Sequence, residues 1–187
     1  MLDELIKKNR SYRRFDSSVN ISCEELYKMI DAARCSASTA NRQRIRFALV
    51  NEREVCDSLF PAIKLAGYLK EWAGPTEAER PTAYIAIMHK EDSVDVNLAI
   101  DMGIAAQSIL LTAVEMGYGG CMIRSFIADT FDRILDKGEY KTAFVIILGK
   151  PSERAYITSV KDGDIKYFRD ERDDHAVPKY ALEELIL

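Results

Sequence analysis

"VNLAIDMGIAAQSILLTAVEMGYGG", residues 96–120, is the longest apolar stretch in a chain of 187 residues, and its reading decides the architecture. Leu98, Ile104, Ile109, Leu110, Leu111 and Val114 leave little polar face beyond Asp101, Gln107, Ser108 and Glu115. A helix apolar on nearly every side must be buried, inside one core or between two subunits. Gly117, Gly119 and Gly120 then stop it. Further on, "TAFVIILG" (142–149) is apolar on both faces and is cut off by "GKP", the pattern of a strand in the middle of a sheet covered on both sides.

Outward from these two segments the chain mixes helices with short strands. "SCEELYKMIDAAR" (22–34) opens with Ser22 and Glu25 at capping-box spacing and places Leu26, Met29, Ile30 and Ala33 on one helical face. "IRFALV" (45–50) and "AYIAIM" (83–88) have the length and the branched or aromatic content of strands. Between them, "LAGYLKEWAGPTEAERP" predicts a short helix and then a loop, because Gly67, Gly74, Pro75 and Pro81 break any longer pattern. "ITSVKDGDIKYF" (157–168) predicts two strands joined as a hairpin around Asp162 and Gly163. The fold class is α+β, a central mixed sheet flanked by helices. Residues 1–187 form one domain in this reading, and the extension 152–187, with too little core of its own, lies over that domain or over a partner subunit.

Composition narrows the function. A chain of this length with 48% hydrophobic residues matches one domain with a real core. Its net charge of -4 argues against a general nucleic-acid binder, which needs a clustered basic face, but leaves room for a discrete anionic ligand. No apolar run reaches about 18 residues, and acids interrupt the opening "MLDELIKKNR", so a soluble, cytoplasmic chain with no membrane segment is expected. Cys23, Cys35, Cys56 and Cys121 form no CxxC pair and read as buried thiols in a reducing compartment. With only His89 and His175 available, a His-ligated metal is not expected, and no Ser/His/Asp or Cys/His set can be argued from spacing. Such a chain is better suited to a borrowed cofactor than to unaided side-chain catalysis.

Three stretches carry candidate chemistry. In "NRSYRRF" (9–15), Arg10, Ser11 and Arg13 combine guanidinium forks with a hydroxyl, a set suited to phosphate oxygens; the plainer reading is an exposed basic face. In "SASTANRQRIRF" (36–47), Ser38, Asn41 and Gln43 offer donors and acceptors to a heterocycle, or simply terminate a helix. "GYGGCMIRSF" (117–126) is glycines leading into a short strand, by itself a tight turn.

The order and spacing of these stretches resemble the nitroreductase-like flavoproteins. "NRSYRRF" is similar to their arginine-rich opening, "AARCSASTANRQRIRF" to their Pro-Ser-x-x-Asn-x-Gln-Pro-Trp-x-Phe loop, "DMGIAAQSILLTAVEMGYGGCMI" to their central helix and Gly-rich turn, and "VIILGKPSE" to the strand ending in Gly-x-Pro. The resemblance covers essentially the whole chain. It implies an FMN-binding homodimer with the cofactor at the subunit interface, built from both subunits, and the apolar helix between them. Arg10, Ser11 and Arg13 would hold the FMN phosphate, with Lys179 of "VPKY" completing that site; Arg14 has no assigned contact and reads as a solvated neighbour. Ser38, Asn41 and Gln43 would meet the ribityl chain and pyrimidine edge, and Met122, Ile123 and Arg124 the flavin face.

The implied activity is ping-pong hydride transfer from NADH or NADPH through flavin N5 to a small electron-poor acceptor such as a nitroaromatic or quinone. Alternatives are a flavin carrier, a flavin-degrading or dehalogenating relative, and a scaffold that has lost the cofactor. The sequence departs from the family pattern at Ala37 for proline, at Arg44-Ile45 for Pro-Trp, and at Arg124, where some members carry an acid.

Overall fold

Strand β5 (Lys141–Pro151) organises the molecule, which is described from a computed structural model covering residues 1–187. On one side β5 pairs with β3 (Ala83–His89), which in turn pairs with β2 (Arg46–Val50). On the other side it pairs with β4 (Gly119–Ile123) and, at its end, with β1 (Phe15–Asp16). Side chains alternate across these strands. Ile85, Ile87, Ile146 and Leu148 therefore face one cluster, and Tyr84, Ala86, Val145 and Ile147 face the other. Each such aliphatic side chain contributes about 1.5–3 kcal/mol by burial, which explains a strand with no polar face.

One face of the sheet is covered by α2 (Cys23–Arg34) and α4 (Val96–Glu115), following a short α1 (Leu2–Lys8); the other is covered by α3 (Arg53–Leu59) and α5 (Ala128–Leu135). The capping box that starts α2 is formed: Ser22 Oγ accepts from Glu25 N at 3.3 Å, and Glu25 Oε2 accepts from Ser22 N at 2.8 Å. Tyr118 OH donates to Glu25 Oε1 at 2.9 Å, tying the exit of α4 to the start of α2. Asp95 caps α4 by accepting from Leu98 N at 2.7 Å, and Gly117, with φ +84°, turns the chain out of it. Eight residues of α4 are buried against the sheet and α2, yet Val96, Ile100 and Ile104 form an open apolar stripe along its outer side. The helix has the length and apolarity of a membrane span, but it is a core helix with one uncovered face.

Several expectations change. Every ladder of the central sheet is antiparallel, not mixed. The crossover through α4 does bring β4 in the same direction as β3, but β5 is inserted between them, so no parallel ladder forms. The helix placed in "LAGYLKEW" lies earlier, at Arg53–Leu59, where Cys56 and Leu59 supply a buried pair. The later stretch turns instead, through Ala66 at φ +53°, and presents Trp72 to Arg14 and Arg169. Asp162 and Gly163, both at positive φ, make the expected tight turn, with Asp164 N donating to Lys161 O at 2.9 Å, but no hairpin follows. Strand β8 (His175–Lys179) lies between β6 (Ala155–Ser159) and β7 (Phe168–Arg169), parallel to β6, because its buried His175 and Ala176 anchor that sheet to the body. Of the four free thiols, only Cys56 and Cys121 are buried; Cys23 and Cys35 sit at the solvent-facing ends of α2.

Candidate active site

The arginine-bearing turn after α1 is held by backbone groups from distant segments. Tyr12 N donates to Gly120 O at 3.1 Å, and Ser11 bridges to Gly120, so the turn lies against β4. The Glu153 carboxylate, buried just past β5, accepts from the backbone N–H groups of Arg13 and Arg14 and pairs with the Arg169 guanidinium. Arg14 is no solvated neighbour: it pairs with Asp173 and Glu79 and lies over the Trp72 ring, and so locks the C-terminal segment to the body.

A cavity of about 290 Å³ opens beside this turn. It brings together Arg10, Ser11, Arg13, Met122 and Lys179, all expected site residues, and adds His175, which was not. None of its twelve lining residues is acidic. Arg13 is buried, with its guanidinium over the Tyr167 ring at 4.5 Å and Nη1 donating to Ser11 O at 3.0 Å and to His175 Nε2 at 2.9 Å. Arg10 Nη2 donates to Ile6 O at 3.0 Å, and Lys179 makes no side-chain hydrogen bond or ion pair; both are free to meet a ligand.

Because Arg13 can only donate, His175 Nε2 must accept and the neutral ring carries its proton on Nδ1. Burial, and then the Arg13 charge, push the His175 pKa down to about 4. An unfolded histidine protonates near about 6.5, so the stability gained by keeping the ring neutral is complete above that pH and is lost as pH falls toward about 4. Thermal melting is expected to show a decline in Tm from about pH 6.5 downward, and His175→Gln should flatten it; a variant with the wild-type slope would contradict this.

Ser38, Asn41 and Gln43 line a different cavity, of about 270 Å³, between α2, β2 and α4, with Arg34, Arg46 and Asp101 as further polar walls. The Arg44 that stands where the family pattern has proline forms a two-pronged pair with Asp95, Nη1 to Oδ2 at 2.8 Å and Nη2 to Oδ1 at 3.1 Å. That pair holds the Asp95 carboxyl well below the usual range and ties the loop's exit to the start of α4. Ile123 points into the core, so only its backbone is at the end of β4. Arg124 is exposed and unpaired, lining a small apolar recess that shares Met122 with the cationic cavity.

The loop cavity and the cationic cavity share no lining residue within one chain. At about 100° per residue, Asp101 and Ala105, which line the loop cavity, and Gln107 and Leu110, which line the cationic one, point from roughly opposite faces of α4. The open stripe of Val96, Ile100 and Ile104 runs along the outer side of the same helix.

The architecture is a helix-flanked α+β sheet with an acid-free cationic cavity at an N-terminal turn and a polar loop across the central helix. The model of the nitroreductase family matches residues 6–150, and the chain belongs to that family. It is 26% identical to "Putative NAD(P)H nitroreductase YdgI" of Bacillus subtilis strain 168, over 82% of this chain and 90% of that protein. Among solved structures, a nitroreductase family protein from Clostridium novyi NT superposes with a TM-score of 0.66 at 26% identity, over 81% of this chain and 86% of its own. A protein from Exiguobacterium sibiricum 255-15, solved as a "putative nitroreductase in complex with FMN", gives a TM-score of 0.69 at 21% identity, over 86% and 92%.

Proposed function

We propose that residues 1–187 form one FMN-binding domain of a homodimeric, cytoplasmic NAD(P)H oxidoreductase. The observation that carries this reading is the cavity holding Arg10, Arg13 and Lys179 with no acid in its wall. Three cations around one recess fit a phosphate. The FMN complex of the Exiguobacterium protein and the NAD(P)H in the name of the Bacillus relative support the same cofactors.

Arg10, Ser11, Arg13 and Lys179 hold the phosphate in this reading. Met122, the Ile123 backbone and Arg124 border the ring face. Ser38, Asn41 and Gln43 of one subunit reach the ribityl and pyrimidine groups held by the other, because one chain presents its loop and its cations from opposite sides of α4. Pairing along the stripe of Val96, Ile100 and Ile104 would cover the apolar face that one chain leaves open. FMN, when bound, would supply the hydride-transfer chemistry between NADH or NADPH and an electron-poor acceptor such as a nitroaromatic or quinone. The chain's own work is to neutralise the phosphate, orient the ring and leave one ring face open for donor and acceptor in turn.

Purified protein is expected to bind FMN, to run as a dimer, and to lose its flavin absorbance anaerobically on addition of NADH or NADPH. Bound flavin that neither nicotinamide bleaches would overturn the reductase reading in favour of a flavin carrier or a flavin-degrading relative.

A further inference from the structure

Asp101 is the one acid buried in α4, 2% exposed inside an otherwise apolar turn. Its Oδ1 accepts from Thr39 N at 2.7 Å and from Thr39 Oγ1 at 2.9 Å. Its Oδ2 is buried, has no partner in the chain, and belongs to a residue that lines the cavity shared with Ser38, Asn41 and Gln43. Thr39 opens a turn in which Ala40, Asn41 and Gln43 all take positive φ, at 51°, 51° and 49°. Left-handed backbone at non-glycine residues persists only where the surroundings over-determine it. Here the surroundings are two carboxylates of α4: Asp101 holds the loop at Thr39, and Asp95 holds its exit at Arg44.

A carboxylate used only to fix this loop would need one oxygen. A second buried oxygen left unpaired is unfavourable unless something donates to it. We propose that Asp101 is a further cofactor-binding residue: Oδ1 sets the 38–43 loop, and Oδ2 accepts a hydrogen bond from a donor on the bound flavin, a ribityl hydroxyl or the imide N–H. This rests on the FMN reading of the site.

Asp101→Asn tests it, because the amide can still accept from Thr39 through its oxygen while its NH2 group replaces the free acceptor with a donor. Fluorescence-quenching titration of the apoprotein is expected to show FMN binding at least about tenfold weaker. The flavin midpoint potential should move to a more positive value, since a carboxylate beside the ring opposes the extra charge of the reduced state. The apoprotein's melting temperature should stay near wild type, whereas Thr39→Ala, which removes the hydroxyl bond and leaves Oδ2 in place, should lower it with little change in potential. FMN methylated at the imide nitrogen distinguishes the donors: wild type losing affinity for it to the same extent points to the N–H, and unchanged affinity points to a hydroxyl. If wild type binds FMN and Asp101→Asn binds it equally well at the same potential, Oδ2 does not meet the cofactor and the inference falls. If wild-type apoprotein takes up no FMN, the reading of the whole site falls, and this inference with it.

Discussion

Gly120→Ala is expected to destabilise the protein by about 1–3 kcal/mol or more, a fall in Tm of several degrees, and to strip it of cofactor in the same step. A Cβ at this position would lie 2.5 Å from Ile147 O and 2.8 Å from the Cδ2 atoms of Leu110 and Leu148. The two leucines can rotate; the carbonyl cannot, because Ile147 sits in the central strand with β3 and β4 paired on either side. The strain must therefore be relieved by moving β4. Gly120 O holds Tyr12 N, and Ser11 bridges to the same residue, so any shift carries the arginine turn away from Lys179 and His175. Circular dichroism melting of the apoprotein measures the first effect, and flavin content after purification measures the second. A variant that melts as wild type does would show that β4 tolerates the added methyl group, and the close packing inferred at this ladder would be wrong.

The parts of the fold legible in the sequence are those whose cause is local. Ser22 and Glu25 cap α2 through contacts three residues apart, and the unbroken apolar run of β5 already states that both faces are covered. Sequence and structure part where a distant segment decides. Asp162 and Gly163 make the turn their chemistry demands, but the strands beside it are separated by β8, whose claim to the edge of β6 comes from His175 and Ala176 being buried in the main body. In the same way β5, far along the chain, slips between β3 and β4 and removes the parallel ladder that the α4 crossover would otherwise make.

The site divides along the same line. Arg10, Ser11 and Arg13 are close in sequence and converge on one cavity, and Lys179, placed there by resemblance, joins them. The groups that hold this set in place are not legible in the sequence: Glu153 grips two backbone N–H groups about 140 residues away, and His175 accepts from Arg13. A buried hydrogen bond across that separation leaves no mark in either segment. Asp101 did leave one, as an acid in the middle of an apolar helix. Arg44, read as a departure from the family's proline, proves to be a substitute anchor, since its pair with Asp95 fixes the loop exit that a proline would otherwise stiffen.

Arg10→Ala and Lys179→Ala are each expected to weaken FMN binding about 10- to 150-fold, because a charge-assisted contact to phosphate contributes about 1.5–3 kcal/mol. The two together should exceed either alone without reaching the full product, since both cations act on one group. These positions test the phosphate role more cleanly than Arg13, whose removal would also unpair His175, release Ser11 O and uncover Tyr167. Arg10 gives up only its bond to Ile6 O, and Lys179 gives up none, so the variants should melt close to wild type. Riboflavin, which lacks the phosphate, is the internal control. If the cavity holds the phosphate, titration of the variants should show FMN affinity collapsing toward that of riboflavin while riboflavin affinity stays at the wild-type level. Added salt should narrow the gap between wild type and variants, because the lost interaction is between charges. An equal loss for both ligands would place the ring, and not the phosphate, against Arg10 and Lys179, and the orientation of the cofactor in the cavity would have to be reversed.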